Sequence, residues 1–304
     1  MSECEAKCEN KKIIIDTDIG DDIDDAFALS MLANCSVQIL GVTTVYKNSE
    51  ERARIAAYLL GKWGICCPVA AGQDYPIREP MKVLEFERLC NDGRPHISQL
   101  LPEMECAGYS GSYAADLILD SARRYPGQVT LLALGPMTNL AQARRQNPAV
   151  FEQIGEILMM GGSVRNDFAE WNIRCDSEAA AEVFESGVPI RMVGVDVTFG
   201  CVLDGDNLRR IEGSSREGAE VLRAMTRRYV GAYSGKRSLV MHDPLTAGVL
   251  FGDFVKFRRM KLRVGTQGCE RGKTLPCETG KECLVAESAA YDAFLDFMTD
   301  AIVG

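Results

Sequence analysis

The sequence is poor in positive charge. Its 304 residues carry 34 Lys and Arg against 43 Asp and Glu, which gives a formal net charge of −9. Nucleic acids and anionic lipid surfaces are bound through basic patches, and this composition offers no such footprint. We therefore expect neither a nucleic-acid partner nor a membrane-surface partner.

Long apolar runs are also missing. No stretch reaches the roughly 20 apolar residues that span a bilayer, and the opening MSECEAKCENKK has no apolar signal core. The twelve cysteines show no repeated zinc spacing, and free thiols are typical of a reducing compartment. These absences predict a cytoplasmic protein whose N-terminus, residues 1–11, is flexible.

No linker rich in Gly, Ser or Pro and no internal repeat divides the chain, so we expect residues 1–304 to form one domain. Segments typical of strands are KIIID, VQILGVTTVY, PVAAG, QVTLLALG, IGEILMMGG and PIRMVGVDVT. They alternate with the helix-like segments DDAFALSMLAN, SEERARIAAYLLGKWG, SYAADLILDSARRYPG, PMTNLAQARRQ and DSEAAAEVFESG, the last with Asp176 as N-cap. This order predicts an α/β fold, a single domain with a mostly parallel central sheet flanked by helices, open and Rossmann-like.

Such a sheet binds ligands at the carboxyl ends of its strands. The polar stretches that follow strand-like segments are 16–25, Asn48, 134–139, 161–172 and 196–198. A separate irregular stretch, 73–109, contains four prolines, and a loop this long in a compact domain is usually functional or mobile. We expect the functional site among these segments.

Six aspartates crowd one joint between a strand and a helix, in the stretch IIIDTDIGDDIDDAFALSML that covers residues 13–32. Two unit charges about 4 Å apart repel by roughly 1 kcal/mol in water and by more where water is excluded. An apolar strand leads directly into the joint and an apolar helix leads out of it. A solvated surface run therefore explains the cluster poorly, and something must offset the repulsion.

Three kinds of acidic site fit this joint to different degrees. An EF-hand loop fails, because counting from Asp16 puts Asp21 where Gly is needed and Phe27 where Glu is needed. A Mg²⁺-dependent phosphatase with an aspartate nucleophile fits DTD, although no distinct later motif supplies a phosphate-holding Lys or Arg; it stays as the alternative. Several carboxylates around one hard cation suit Ca²⁺ better than Zn²⁺, and the positive end of the helix beginning near Asp24 favours them too. We adopt the Ca²⁺ site.

Five motifs stand in order along the chain: IIIDTDIGDDIDDAFAL, GVTTVYKN, LLALGPMTNLA, MMGG followed by AEWNIRCDSEAA, and MHDPLTAG. Together they resemble the nucleoside hydrolases, the inosine/uridine-preferring nucleoside N-ribohydrolase family, over most of the chain. The resemblance implies a parallel-sheet core and one tightly bound Ca²⁺. It also implies hydrolysis of the N-glycosidic bond of a ribonucleoside to base and ribose, and a homodimer or homotetramer.

Position by position, the resemblance implies roles for particular residues. The implied Ca²⁺ ligands are Asp18, Asp25, the carbonyl of Leu134, and Asp243. Asp18 is also implied as the carboxylate that takes a proton from the attacking water. The groups implied to bind ribose hydroxyls or to position the water are Asp24, Asn48, Asn166, Glu170 and Asn172. His242 lies where the family often places a residue near the leaving base.

Three features depart from the family pattern. The aspartate pair 24–25 follows the glycine at a longer spacing than the usual single residue, so Asp22 competes for the roles of that pair. Trp171 replaces the usual Phe of the ribose-binding segment and is a candidate for the pocket wall. The stretch 73–109 lacks a clear His-Gly segment, although GRPHIS places His96 there.

The implied chemistry suits an acidic site. Cleavage of the ribosyl C–N bond leaves positive charge on the sugar, and a Ca²⁺ bound to the 2′ and 3′ hydroxyls and to one water lowers the pKa of the water that Asp18 deprotonates. The leaving base needs a proton or a stacking partner. The candidates for this role are the chain's two histidines, His96 and His242. Tyr229 and Tyr233 are candidates for lining the base pocket. A non-catalytic nucleoside or ribose binder on the same scaffold is a further alternative.

Overall fold

A computed structural model of the chain describes residues 11–78, 97–203, 205–232 and 238–304. Most of the segment expected to be a flexible N-terminus, together with His96 and Tyr233, lies outside the described residues. Within the described ranges, no helix combines the length and apolar content needed to cross a bilayer.

Nine strands in the described residues form one sheet. They are β1 (Lys12–Thr17), β2 (Gln38–Thr44), β3 (Val69–Ala71), β4 (Val129–Ala133), β5 (Glu156–Met160), β6 (Ile190–Val193), β7 (Val255–Val264), β8 (Thr274–Pro276) and β9 (Lys281–Ala289). Their spatial order is β3-β2-β1-β4-β5-β6-β9-β7-β8.

The helices of the described residues cover the sheet. They are α1 (Asp24–Leu32), α2 (Ser49–Lys62), α3 (Ala114–Arg124), α4 (Thr138–Gln146), α5 (Pro148–Phe151), α6 (Trp171–Cys175), α7 (Ser177–Phe184), α8 (Val195–Thr198), α9 (Gly205–Gly213), α10 (Glu217–Ala232), α11 (His242–Gly248) and α12 (Tyr291–Val303). Short 3₁₀ turns lie at Pro102–Met104 and Gly268–Glu270.

The sheet is parallel from β3 across to β9, and only β7 and β8 run antiparallel to their neighbours. The chain builds outward from β1 to β2 and β3, and then returns to place β4 on the other side of β1. The strand order therefore reverses between β1 and β4. Open α/β sheets form a ligand crevice at such a point, outside the carboxyl ends of the strands.

Strand β1 shows why the sheet lies between two layers of helices. Its side chains alternate in direction, as in every strand. Ile13 and Ile15 pack in one apolar cluster with Phe27 of α1, whereas Ile14 packs in a second cluster with Leu119 of α3. All three isoleucines are fully buried. A strand with both faces covered reads as a continuous apolar run, which is how KIIID reads.

The α/β fold with a mostly parallel central sheet is confirmed, and Asp176 does cap α7 by accepting a hydrogen bond from the Ala179 amide at 3.0 Å. One predicted strand is shorter than expected. In PIRMVGVDVT the strand ends at Val193, and Val195–Thr198 forms a helical turn. Gly194 packs so closely that a Cβ there would lie 2.6 Å from the Gly162 carbonyl oxygen, and the chain turns away from the sheet at this point.

Candidate active site

The acidic joint joins β1 to α1 at the crevice between β1 and β4. Its carboxylates differ in exposure: Asp16, Asp18, Asp24 and Asp25 are buried, whereas Asp21 is half-buried and Asp22 is exposed. A buried carboxylate must be paired, hydrogen-bonded or bound to a cation. The contacts of each one therefore indicate what it does.

Three carboxylates converge at the start of two helices. Ligand oxygens of Asp24 and Asp25, in the first turn of α1, and of Asp243, in the first turn of α11, all lie within 4.8 Å of one another. Asp24 Oδ2 accepts a hydrogen bond from the Asp243 backbone amide at 3.1 Å, and Thr17 Oγ1 donates to Asp25 Oδ1. We call Asp24, Asp25 and Asp243 the carboxylate triad.

Burial makes the charged forms of these groups costly. Burial first and neighbouring carboxylates second raise the pKa of Asp24 to about 7 and that of Asp18 to about 8, although Arg52 opposes the shift at Asp18. The pKa values of Asp25 and Asp243 also lie well above the ordinary range, because of burial first and the adjoining aspartates second. A buried all-oxygen donor set of this kind can hold a divalent cation, whose charge would reverse these shifts.

Asp18 lies beside the triad, at the end of β1. The charge of Asp24 raises the pKa of Asp18, and the charge of Asp18 in turn raises the pKa of Asp25 and of Asp243. Gly135 faces it across the crevice, where a Cβ would lie 3.0 Å from Asp18 Oδ1. A larger residue at position 135 would press on this carboxylate, so the glycine lets the backbone after β4 approach Asp18 closely.

Leu134 and Asn172 meet on the β4 side of the crevice. The Asn172 amide donates to the Leu134 carbonyl at 2.8 Å and more weakly to the Met160 carbonyl at 3.3 Å. Asn172 is 6% exposed. A carbonyl oxygen has two lone pairs, so Leu134 can accept this bond and still offer an oxygen to a cation.

Glu170 is buried and caps α6. Its Oε1 accepts from the Asn172 amide at 3.0 Å, and its Oε2 accepts from the amides of Gly162 and Ile173 at 2.9 and 3.2 Å. Burial raises its pKa, while these three hydrogen bonds lower it. Trp171, the next residue, packs edge to face against Tyr46, with ring centroids 6.0 Å apart.

The side chain of Asn166 is held by Asp196. It is exposed, on the loop that follows β5, and its amide donates to Asp196 Oδ1 at 2.8 Å. Asp196 also accepts from the backbone amides of Val164 and Arg165. In this arrangement Asp196 fixes the loop that carries Asn166.

His242 begins α11, directly before the triad residue Asp243. Its Nδ1 lies 2.6 Å from Thr198 Oγ1, and its ring packs edge to face against Phe199, with centroids 5.3 Å apart. Burial lowers its pKa, and Asp22 and Glu170 oppose that shift. Phe199 is 56% exposed, which makes it an apolar surface beside the imidazole.

Asp22 and Tyr229 form a rim next to His242. The Tyr229 hydroxyl donates to Asp22 Oδ1 at 2.8 Å, and Gln99 Nε2 donates to the carbonyls of Asp21 and Asp22 at 3.1 and 2.7 Å. The structure thus separates Asp22 from the aspartate pair with which it competes in the sequence. Asp24 and Asp25 lie in the triad, and Asp22 lies on the rim.

Asn48 lies in a loop of unusual backbone geometry. Tyr46, Lys47 and Asn48 have φ angles of 70°, 34° and 55°, values that cost roughly 1–2 kcal/mol for each residue with a side chain. Backbone bonds from Tyr46 to Gln73 and from Lys47 to Asp74, 2.8 and 3.0 Å long, hold the loop. Strain of this kind clusters at functional sites.

Two buried residues that hold the site together had no assigned role in the sequence analysis, although one of them, Asn139, lies in the predicted stretch 134–139. Asn139 donates to Asp16 Oδ1 at 2.7 Å and to the Thr44 carbonyl at 3.0 Å, and its Oδ1 accepts from the Gln73 amide at 2.9 Å. It therefore joins the chain at the carboxyl ends of β1, β2 and β3. Asp16 Oδ2, fully buried, has no hydrogen-bond partner in the described part of the chain.

Arg52 of α2 is the second of these residues and lies outside every stretch predicted to hold the functional site, and its side chain is completely buried. A sequence signal for it does exist. Arg52, Ile55, Ala56 and Leu59 follow the spacing of an apolar helix stripe, so an arginine stands where a core residue is expected. Such a position indicates a buried cation with buried partners.

Comparison with known proteins gives a consistent relationship. The family model for inosine-uridine preferring nucleoside hydrolases matches residues 13–296. Uridine nucleosidase 1 of Arabidopsis thaliana is 33% identical over 287 residues, which cover 88% of this chain and 82% of the relative. The pyrimidine-specific ribonucleoside hydrolase RihB of Escherichia coli (strain SE11) is 32% identical over 286 residues, covering 90% and 89%.

Solved structures agree. The plant nucleoside hydrolase PpNRh1 matches with a TM-score of 0.83 at 25% identity, covering 97% of this chain and 99% of its own. A purine-preferring ribonucleoside hydrolase from Gardnerella vaginalis matches with a TM-score of 0.80 at 25% identity, covering 97% and 98%. The chain therefore belongs to the inosine-uridine preferring nucleoside hydrolase family and is an enzyme that hydrolyses the N-glycosidic bond of ribonucleosides.

Proposed function

We propose that this enzyme is a Ca²⁺-dependent ribonucleoside hydrolase in which Asp18 activates the attacking water. The observation that carries the proposal is the buried carboxylate triad beside Asp18, at the point where the strand order reverses. Family membership sets aside the phosphatase alternative. We propose a pyrimidine ribonucleoside such as uridine as the first substrate, because two relatives at 32–33% identity are named for uridine or pyrimidine substrates.

The donor set fits a hard cation. Asp25 and Asp243 from the triad, Asp18 and the Leu134 carbonyl are the proposed ligands, and all four offer oxygen. Flexible, high-coordination oxygen sites favour Ca²⁺, whereas Zn²⁺ prefers nitrogen and sulfur ligands. When bound, the cation would hold the 2′ and 3′ hydroxyls of ribose and lower the pKa of a neighbouring water.

The protein's own groups then carry the reaction. Asp18 accepts the proton of the attacking water, whose oxygen bonds to C1′ as the C1′–N bond breaks and its electron pair leaves with the base. Positive charge develops on the sugar, and the buried carboxylates favour it electrostatically. Asp24, the member of the triad that is not a proposed cation ligand, is proposed to bind a ribose hydroxyl.

The remaining ribose contacts are proposed for Asn48, Asn166, Glu170 and Asn172. The Asn172 amide nitrogen already donates to Leu134, so its Oδ1 is the atom that would accept a bond from a hydroxyl. Each Glu170 oxygen accepts from backbone amides, which fixes the carboxylate for a further bond to a sugar hydroxyl. Asn166 would reach the sugar from the loop that Asp196 holds.

The leaving base is proposed to contact His242, with Phe199 stacking beside it. Because Thr198 engages Nδ1, Nε2 is the ring nitrogen that would donate a hydrogen bond to the base. Trp171, packed on Tyr46, is proposed as part of the pocket wall. Asp22 and Tyr229 are proposed to border the base from the rim.

The test of the reaction is a panel of uridine, cytidine, inosine and adenosine with detection of free ribose. We expect ribose from at least one nucleoside, and a fall in kcat of about 10³-fold or more in Asp18→Ala, since a positioned general base contributes 10²–10⁴-fold. Asp206→Ala, at an exposed carboxylate on α9, is the control and should match the wild type. Binding of nucleosides without ribose release would instead identify a non-catalytic binder.

The test of the cation is thermal unfolding after chelation, with Ca²⁺ or Mg²⁺ added back. A ligand that binds only the folded state at about 100 times its Kd adds roughly 2.7 kcal/mol, about 4 °C in Tm for a chain of this length. We expect this rise with Ca²⁺ in the wild type and its loss in Asp243→Asn.

The sign of the chelated comparison is informative as well. Without a cation, Asp243→Asn removes one of several mutually repelling buried carboxylates, so its Tm should equal or exceed that of the chelated wild type. The proposal of a Ca²⁺ site is contradicted if millimolar Ca²⁺ leaves the wild-type Tm unchanged, or raises the Tm of both proteins equally.

A riboside whose leaving group needs no proton, such as p-nitrophenyl riboside, tests His242. We expect His242→Ala to lower kcat for a nucleoside by about 10²-fold and to change turnover of the nitrophenyl substrate far less. Thr198→Val, which removes only the hydroxyl at Nδ1, should give an intermediate loss on the nucleoside. Equal losses on both substrates would rule out a contact with the leaving base.

We further propose a homodimer or homotetramer in a reducing cytoplasm. Tyr75 and Tyr113 are 70% and 75% exposed on the walls of one surface groove, and exposed tyrosines are frequent anchors of interfaces. All nine cysteines of the described residues are free thiols. Light scattering should give a mass of two or four times 33.3 kDa, and a monomeric mass at micromolar concentration would contradict the assembly.

A further inference from the structure

Arg52 lies between the two loops that carry the proposed catalytic and ribose-binding groups. One loop follows β1 and carries Asp18, and the other follows β2 and carries Asn48. The Arg52 side chain is 0% exposed, and its guanidinium lies 5.8 Å from the centre of the Tyr46 ring. A charge buried so completely requires partners on several sides.

The guanidinium donates to both loops at once. On the β2 side, Nε donates to the carbonyls of Tyr46 and Lys47 at 2.6 and 2.9 Å. On the β1 side, Nη1 donates to the Asp18 carbonyl and, at 2.9 Å, to the Ile19 carbonyl.

The same side chain forms an ion pair with the acidic joint. Nη2 of Arg52 contacts Asp21 Oδ2 at 2.7 Å, and the Asp21 side chain is 38% exposed. Asp21 lies in the part of the joint that is longer than the family's usual spacing. This part of the joint therefore supplies a counter-charge for the buried guanidinium.

The β2 loop needs such support. Three consecutive residues with positive φ, 46–48, together cost several kcal/mol relative to ordinary backbone. A strained conformation persists only when its surroundings over-determine it. Arg52 binds the carbonyls of two of these residues, and the amides of the same two residues are bound by the chain at Gln73 and Asp74.

A planar guanidinium suits this task, and an ammonium does not. Arginine presents five N–H groups in a fixed fork, whereas lysine presents one compact charge on a flexible stem. A lysine at position 52 could keep the pair with Asp21 but could not reach four carbonyls on two loops in fixed directions. The geometry thus specifies arginine and not merely a positive charge.

We propose that Arg52 is a positioning residue that sets the separation of the Asp18 and Asn48 loops and thereby aligns the proposed general base with the ribose. The proposal rests on the proposed function. A misplacement of about 1 Å at a reacting group can cost 10²-fold in rate. Loss of Arg52 should therefore lower kcat by more than a loss of folded protein can explain.

The experiment compares Arg52→Lys with three other variants. Arg54→Lys is the matched control, because Arg54 lies on the same helix and donates to the carbonyls of Glu105 and Ala107, away from the two loops. Leu59→Ala, a fully buried core position of the same helix, gives a loss of stability without touching the loops. Asp21→Asn removes only the ion pair.

We expect Arg52→Lys to lower kcat by about 30-fold or more, with a change in KM of less than about threefold, as for an interaction made chiefly in the transition state. Asp21→Asn should lose less, because the carbonyl contacts remain. Leu59→Ala should lower Tm but leave kcat near the wild-type value at a temperature where it is folded. Arg54→Lys should retain both.

Hydrogen–deuterium exchange supplies a readout that does not depend on turnover. The backbone amides of residues 18–20 and 46–48 should exchange faster in Arg52→Lys than in the wild type. Their exchange rates should be unchanged in Arg54→Lys. A wild-type kcat and unchanged exchange in Arg52→Lys would overturn the inference. So would a kcat loss in Leu59→Ala equal to that in Arg52→Lys. Absence of ribose release by the wild type would instead refute the proposed function, and the exchange data would still decide the role of Arg52.

Discussion

The structure depends on concentrating carboxylates in a dry joint without letting their repulsion open it. Five acidic groups near the end of β1 meet different partners: Asp16 accepts from Thr43 and Asn139, Asp25 from Thr17, and Asp24 from the start of α11. Asp21 pairs with Arg52, and Asp22 accepts from Tyr229. Burial raises the pKa of Asp16, Asp24 and Asp25 above the ordinary range in spite of these contacts, so the contacts limit the cost without removing it. The residual excess of negative charge at the triad is what makes the joint suited to a cation.

That excess of charge is also what the reaction requires. A sugar that becomes positively charged as its base leaves is favoured by negative groups that are already in place, since no reorganisation is then needed during the reaction. The helices share this task, because α1 and α11 both begin at the triad and direct their positive ends toward it. The free energy of unfolding is lowered by the same arrangement, which is the usual relation between an active site and stability.

The order of segments typical of strands and helices was enough to predict the layered α/β fold, because β1 to β6 are short apolar runs that alternate with helices. They did not predict β7, β8 and β9. In β7, buried and exposed side chains do not alternate regularly along VKFRRMKLRV, so the sequence shows no apolar face that would indicate a strand. The same limit applies to the site. The spacing of the aspartates could not show which of Asp22, Asp24 and Asp25 join the triad. That depends on which of them lie next to α11, and α11 is more than 200 residues further along the chain.

Arg52 and Asn139 show the other limit of sequence reasoning. Neither belongs to an acidic motif, and their importance comes from groups distant in sequence: Arg52 joins loops about 30 residues apart, and Asn139 reaches Asp16 across 123 residues. For Arg52 the sequence does contain an indication, because an arginine stands within an apolar helix stripe. Asn139, at the start of α4, reads equally well as an ordinary helix-start residue. Its three hydrogen bonds to strand ends become evident only when those ends are adjacent.

The division between the triad and the rim bears on substrate choice within the family. Relatives named for uridine or pyrimidines and a structural neighbour named for purines share this chain's architecture. Groups that act on the ribose and the water contact parts common to every ribonucleoside, so they cannot discriminate between bases. Under the proposed function, discrimination would arise where we propose that the base lies, near Phe199, His242 and the rim formed by Asp22 and Tyr229. Asp22 belongs to both regions, since it shares the joint with the triad and the rim with Tyr229. A change in the length of this joint can thus alter the rim while leaving the carboxylates that face the sugar in place.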